Sequence, residues 1–225
     1  MSITSTLNHR VFQTVFLGYS ALLLFLGRQA DTGLLNFDDS YYAQKAKELL
    51  AGGSLWFNTY HGVPDFDKPP LPLWLTAAAF KCFGVSGYSA VLVTGLLGAA
   101  TVYLTYRFSE ILFADDRWAA FLAGIVLIFP GYFLDYSRRG MTDIVLAFFV
   151  TLAMFCFVQA RRNPRWYLGF GASTAAAILT KSVLGLFPLM IALSMLTFAR
   201  RWREMINPFF VISVVLALGL GSVWH

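Results

Sequence analysis

Charge is scarce in this chain. Only 13% of its 225 residues are Asp, Glu, Lys or Arg and 58% are hydrophobic, where a soluble domain carries roughly 25% charged residues. A soluble core of this length needs a polar surface, and the residues to make one are missing. A mean hydropathy of +0.64 agrees with a membrane protein. Cysteine is nearly absent too. Cys82 and Cys156 fall at different membrane depths in the topology below, so no disulfide framework follows. There is no internal repeat, no low-complexity tract, and no small-residue cleavage site after the first apolar run, which reads as a retained helix. The net charge of +5 sits in short basic clusters between apolar runs. That pattern reports topology rather than a nucleic-acid partner.

Long apolar runs are what the chain does have. A membrane-spanning helix needs about 20 mainly apolar residues. Candidates are Val11–Gly27, Val85–Tyr106, Trp118–Leu134, Ile144–Val158, Trp166–Leu179, Val183–Phe198 and Pro208–Val223. The expected fold is therefore an all-α multi-pass membrane protein of about seven helices, with a long first extracytoplasmic loop over about 29–84. Counted in the short loops, Lys and Arg favour a cytoplasmic N-terminus. Gly169, Ser173 and Ala177 form a small-residue stripe suited to close helix packing.

The stretch from Asn36 to Trp74 is the one long polar interval, and with Asp31 it accounts for six of the twelve acidic residues. Ala43, Ala46, Leu49 and Leu50 recur on one helical face, so a short amphipathic helix is expected after Asp38-Asp39-Ser40, stopped by Gly52-Gly53 and lying along the membrane surface. Pro69, Pro70 and Pro72 predict an extended path after Lys68. Tyr41, Tyr42, Trp56, Phe57, Tyr60 and Trp74 suit an interfacial belt. His61 and Asp65 read as ordinary loop polars.

With this topology, residues far apart in sequence share the outer side: Asp38, Asp39, Asp67, Lys68, Arg138, Arg139, Asp143, Lys181 and His225. Ionisable groups gathered at one depth point to a site. Plainer roles compete for each. Asp38 or Asp39 caps a helix, Asp143 answers a helix dipole, Asp67-Lys68 is a solvated pair, and the arginines and Lys181 anchor at the interface. Lysine and arginine at a membrane surface suit a lipid phosphate; carboxylates beside them suit activating a hydroxyl, orienting a sugar or holding a divalent metal. Glycosyl transfer fits this set, and phosphatase or phospholipid transferase chemistry fits it nearly as well. A transporter or flippase subunit is the alternative from another class, but it predicts charges at mid-membrane with broken helices around them. Here the charges lie at helix ends, and Pro130 and Pro188 are the only breakers near mid-span.

The order FDDSYYAQ, then FDKPPLPLW, then Thr142-Asp143 opening one helix and Leu179-Thr180-Lys181 closing the next resembles the polyprenyl-phosphate-dependent glycosyltransferases of the C-type membrane fold. That family includes the protein O-mannosyltransferases and the lipid A aminoarabinose transferases, and the second branch looks closer. The resemblance runs from about Leu34 to His225. It implies an inverting enzyme of the inner membrane that moves a sugar from a polyprenyl-phosphate carrier to an extracytoplasmic lipid A-like glycolipid or protein hydroxyl. It makes Asp38 and Asp143 the catalytic carboxylates. Lys68, Asp39, Arg138, Arg139, Lys181, Tyr42 and His225 would bind substrate, and Asp67 would hold a divalent metal or shape the cavity. Family members continue for several more helices, so residues 1–225 are expected to be the N-terminal part of such a domain, either inactive alone or completed by a C-terminal partner.

Overall fold

The computed structural model describes residues 3–27, 34, 37–52, 54–113 and 116–224. The chain opens with α1 (Ile3–Leu26), followed by α2 (Phe37–Leu50) in the polar loop. A two-residue hairpin, β1 (Thr59–Tyr60) and β2 (Val63–Pro64), pairs Thr59 with Pro64 and Tyr60 with Val63. Then come α3 (Leu71–Phe83), α4 (Gly87–Leu112), α5 (Arg117–Ile128), α6 (Gly131–Ser137), α7 (Thr142–Gln159) and α8 (Trp166–Lys181). A 3-10 turn over Ser182–Leu186 leads to α9 (Phe187–Phe198), the short α10 (Trp202–Met205) and α11 (Pro208–Gly221).

Among the described residues, Gly87–Leu112, Thr142–Gln159 and Trp166–Phe198 are long and apolar enough to cross a membrane. A fourth span arises if α5 and α6 count together, and Arg10–Leu26, Leu71–Phe83 and Pro208–Gly221 are shorter apolar helices. The expected single helix Trp118–Leu134 is broken. Pro130 has no N–H to continue the ladder, and α6 leaves α5 at 68°. The Trp166–Phe198 stretch also reverses. Run straight, its 33 residues would extend about 50 Å, yet Tyr167 Oη at one end donates to Glu204 Oε2 beyond the other at 2.9 Å. The reversal occurs at Ser182, whose φ of 23° leaves the helical region. The turn then lies so tightly on α8 that a Cβ on Gly185 would meet the Ile178 backbone nitrogen at 2.2 Å.

Close packing sets the helix order. A side chain at Gly171 would meet Ser213 O at 2.5 Å, so α8 and α11 touch backbone to backbone. One core gathers Phe157, Phe170, Leu196 and Phe210. A second gathers Leu17, Phe25, Val102, Tyr106 and Ile128 from α1, α4 and α5. At the far end of α4 from the loop, the buried Glu110 takes Arg107 at 3.0 Å and Arg10 at 3.5 Å.

The loop helix forms as its periodicity predicts, but it starts at Phe37, which puts Asp38 and Asp39 inside its first turn. Its small apolar face packs on α3 and α4 through Ala46, Ala77, Phe80, Ala90 and Val91. The prolines do not draw out a long extended path. Pro70 is already helical at φ −84°, ψ −13° and Pro72 sits in the first turn of α3, where a missing N–H costs nothing.

Candidate active site

Helix geometry places the first group. Residues 38, 41 and 42 recur at helical spacing, so Asp38, Tyr41 and Tyr42 share one face of α2. That face borders a cavity of about 480 Å³. Asp67 and Lys68 enter from the loop, Met141, Thr142 and Asp143 from the start of α7, and Lys181 from the end of α8. Six of the residues expected to form the site therefore line one space: Asp38, Tyr42, Asp67, Lys68, Asp143 and Lys181.

The charges inside are arranged in pairs. Lys181 Nζ lies 2.8 Å from Asp143 Oδ1 across 38 residues of sequence. Lys68 Nζ lies 3.0 and 2.9 Å from the two oxygens of Asp67. Asp38 forms no ion pair among the described residues. Tyr42 stands among these carboxylates. Burial first, then the charges of Asp38 and Asp67, push its hydroxyl up to about 12 against a hydrogen bond from Thr142. It thus stays protonated and able to donate at neutral pH.

Other expected site residues are engaged elsewhere. Asp39 is 2% exposed, and its Oδ1 accepts from Gly140 N at 3.2 Å. This ties α2 to the turn before Asp143. Arg138 Nε donates to Leu24 O at 2.6 Å. Arg139 pairs with Asp135 at 3.0 Å, and its carbonyl accepts from Thr94 Oγ1 at 2.5 Å. Neither arginine lines the cavity; both fasten the bend after α6 to α1 and α4. His225 lies outside the described residues, while its neighbour Trp224 donates from Nε1 to Trp56 O at 3.1 Å. Among the described residues, no three His, Cys, Asp or Glu side chains come close enough to hold a cation, and both oxygens of Asp67, the expected ligand, are held by Lys68.

Tyr41, Phe37, Met141 and Thr142 also line the cavity and were not expected there. For Tyr41 the signal was available in its 38-41-42 spacing. Glu48 is the hub of the loop behind this wall. It accepts from Thr59 Oγ1 at 2.7 Å, His61 N at 2.8 Å, Gly62 N at 3.2 Å and Gln44 Nε2 at 2.7 Å. These bonds hold the hairpin turn, where His61 and Gly62 take φ of 53° and 76°. Burial works to raise the Glu48 pKa, but the four bonds outweigh it and bring it to about 2 from an ordinary 4.5. A depressed carboxylate stabilises above its unfolded value, so this contribution is complete above about pH 4.5 and is lost as pH falls through about 2. A ¹³C NMR titration of the Glu48 carboxyl should have its midpoint near 2; a midpoint near 4.5 would mean that the cage does not form in solution.

The dolichyl-phosphate-mannose-protein mannosyltransferase family matches residues 67–225. The chain belongs to this family. Its curated relatives include an undecaprenyl phosphate-alpha-4-amino-4-deoxy-L-arabinose arabinosyl transferase of Pseudomonas fluorescens, 25% identical over 99% of this chain and 39% of the relative. A transferase of the same name from Pseudomonas aeruginosa is 27% identical over 90% of this chain and 38% of its own length. The chain thus spans about two fifths of the length of the curated relatives it matches. Among solved structures it resembles ArnT of Cupriavidus metallidurans in the apo state, with a TM-score of 0.82 and 22% identity over 96% of this chain and 41% of that one. It also resembles the Saccharomyces cerevisiae protein O-mannosyltransferase complex bound to the sugar donor, with a TM-score of 0.73 and 20% identity over 93% of this chain and 32% of that one. These likenesses establish the fold of a helical multi-pass membrane protein.

Proposed function

We propose that the protein carrying this chain is a glycosyltransferase that moves a sugar from a polyprenyl-phosphate carrier to an acceptor outside the cytoplasm. The observation that carries this reading is the meeting of Asp38, the Asp67–Lys68 pair and the Asp143–Lys181 pair in one cavity. Relatives are named for undecaprenyl-phosphate-linked aminoarabinose, and one similar structure holds undecaprenyl phosphate. That supports a lipid-linked donor. In this reading the cavity faces the outer side of the inner membrane, and residues 1–225 form the N-terminal part of the transferase domain.

The chemistry is a displacement at the anomeric carbon. The acceptor oxygen forms the new bond as the bond to the lipid phosphate breaks, inverting that carbon. The phosphate leaves with the electron pair, and Lys68 and Lys181 meet its charge. Asp67 and Asp143 do not prevent this. Their side chains are 53% and 44% exposed, and a pair so placed is worth only about 0–1 kcal/mol, so a phosphate dianion competes with them for the lysines. When the acceptor is a hydroxyl, Asp38 takes its proton. When it is a lipid A phosphate, that oxygen is already ionised and Asp38 orients it. Asp143, released from Lys181, is the second carboxylate, and Tyr42 donates to sugar or phosphate. Asp39, Arg138 and Arg139 serve by holding the turn that presents Asp143.

Membranes containing the full-length protein, incubated with a radiolabelled sugar on a polyprenyl phosphate, should transfer label to lipid A or to protein. Label that stays on the carrier, with every acceptor class present, would reject the reading.

A further inference from the structure

Lys45 lies one turn beyond Tyr41 on α2, and its side chain is 0% exposed. Lysine is almost never fully buried unless paired, because removing an ammonium from water is costly. Its partner is Asp65, whose Oδ1 is 3.4 Å from Nζ. Nζ also lies 3.3 Å from Tyr41 Oη and 4.8 Å from the centre of the Tyr41 ring. The Tyr41 hydroxyl donates to Asp65 Oδ2, and Asp65 Oδ1 accepts from the backbone N–H of Asp67 at 3.0 Å. One carboxylate therefore gathers a buried ammonium, a cavity-wall phenol and the backbone that carries Asp67 and Lys68. Asn58 Nδ2 secures the other side of that backbone by donating to Lys68 O at 3.1 Å.

Neither Lys45 nor Asp65 lines the cavity, whereas Tyr41 and Lys68 do. Helix formation does not require an ammonium here, since α2 already buries the small Ala46 beside it. The charge at residue 45 acts on Asp65. We infer that Lys45 and Asp65 are positioning residues: the buried ammonium fixes the Asp65 carboxylate, and the Asp65 bonds to the Asp67 amide and the Tyr41 hydroxyl set where Lys68 enters the cavity. This rests on the reading that Lys68 holds the donor phosphate.

The test uses the full-length protein with Lys45→Met and the double variant Lys45→Met/Asp65→Asn. The single change leaves a carboxylate facing a closed wall without its cation; the carboxylate turns to water and releases the Asp67 amide. The KM for the polyprenyl-phosphate sugar should rise about tenfold, with a smaller change in kcat. Asparagine at residue 65 keeps a neutral Oδ1 for the Asp67 N–H, and a neutral pair is well tolerated in place of buried charges. The double variant should therefore return to within about threefold of the wild-type KM. Hydrogen exchange at the Asp67 and Lys68 amides, read without donor, should accelerate about tenfold in the single variant and recover in the double. A role confined to stability would lower the active fraction while leaving KM unchanged. Unchanged KM and exchange in Lys45→Met overturns the inference, as does a double variant with exchange no slower than the single. If Lys45→Met does not fold, the double variant decides: near-native exchange at Asp67 supports the inference and fast exchange rejects it. If the wild type transfers no sugar, the functional reading fails, while the exchange measurements still decide the positioning role.

Discussion

Replacing Asp38 by Asn in the full-length protein should lower the proposed sugar transfer to a hydroxyl about a thousandfold or more while the protein stays folded. Asp67 and Asp143 each face a lysine, but Asp38 forms no ion pair among the described residues. It is the cavity carboxylate free to take a proton or orient an acceptor, and general-base contributions run to about 10²–10⁴ in rate. Asparagine keeps the shape. The carboxylate does sit in the first turn of α2, where a negative charge favours the helix by about 0.3–1 kcal/mol, so the loss of stability is small. Parallel transfer assays and thermal unfolding in detergent separate the two effects. With a hydroxyl acceptor, retention of more than about a tenth of wild-type activity would remove Asp38 as the base, since a contribution at the lower bound of about 10² cannot be replaced so cheaply.

Lys68→Met should cost nearly as much. In the proposed reaction the leaving phosphate needs a cation where its charge develops, and losing one such group in a cavity costs about 10²–10³ in rate. Lys68 is 32% exposed and its only ion-pair partner among the described residues is the adjacent Asp67. Lys68→Arg should recover part of the rate and remain about tenfold below wild type, because a planar fork does not replace a point charge at the same place. Equal activity of the Met and wild-type proteins at subsaturating donor would show that the phosphate binds elsewhere.

The parts of the site legible in the sequence were those whose chemistry is local. Asp67-Lys68 is a neighbouring pair, and its place between Asp65 and the prolines can be read directly. Asp38 and Tyr42 share a helix face by spacing alone. Thr142-Asp143 and Lys181 were visible as charges at helix ends. The arginines do not line the cavity, for a physical reason. Arg138 and Arg139 stand close in sequence to Asp143, but a guanidinium also satisfies stranded carbonyls, and Leu24 O takes Arg138. No periodicity marks Lys45 as buried, because its cation is neutralised by a residue 20 positions away whose loop folds back over it. The hairpin was missed because each of its strands is only two residues long, too short for an alternating pattern.

By itself the sequence determined that this chain lies in a membrane as a set of helices. With 58% hydrophobic residues and 13% charged ones, there is too little polar surface to face water, and in lipid the backbone must satisfy its own hydrogen bonds. It also determined which residues carry charge between the spans. Only the tertiary structure decided which of those charges meet. The packing of α7 against α8 sets Lys181 beside Asp143, and the bond from Gly140 N to Asp39 holds the loop helix at the same end, so that all reach one cavity. Electrostatic partnership depends on distance through space, and close-packed helices, not sequence spacing, set that distance.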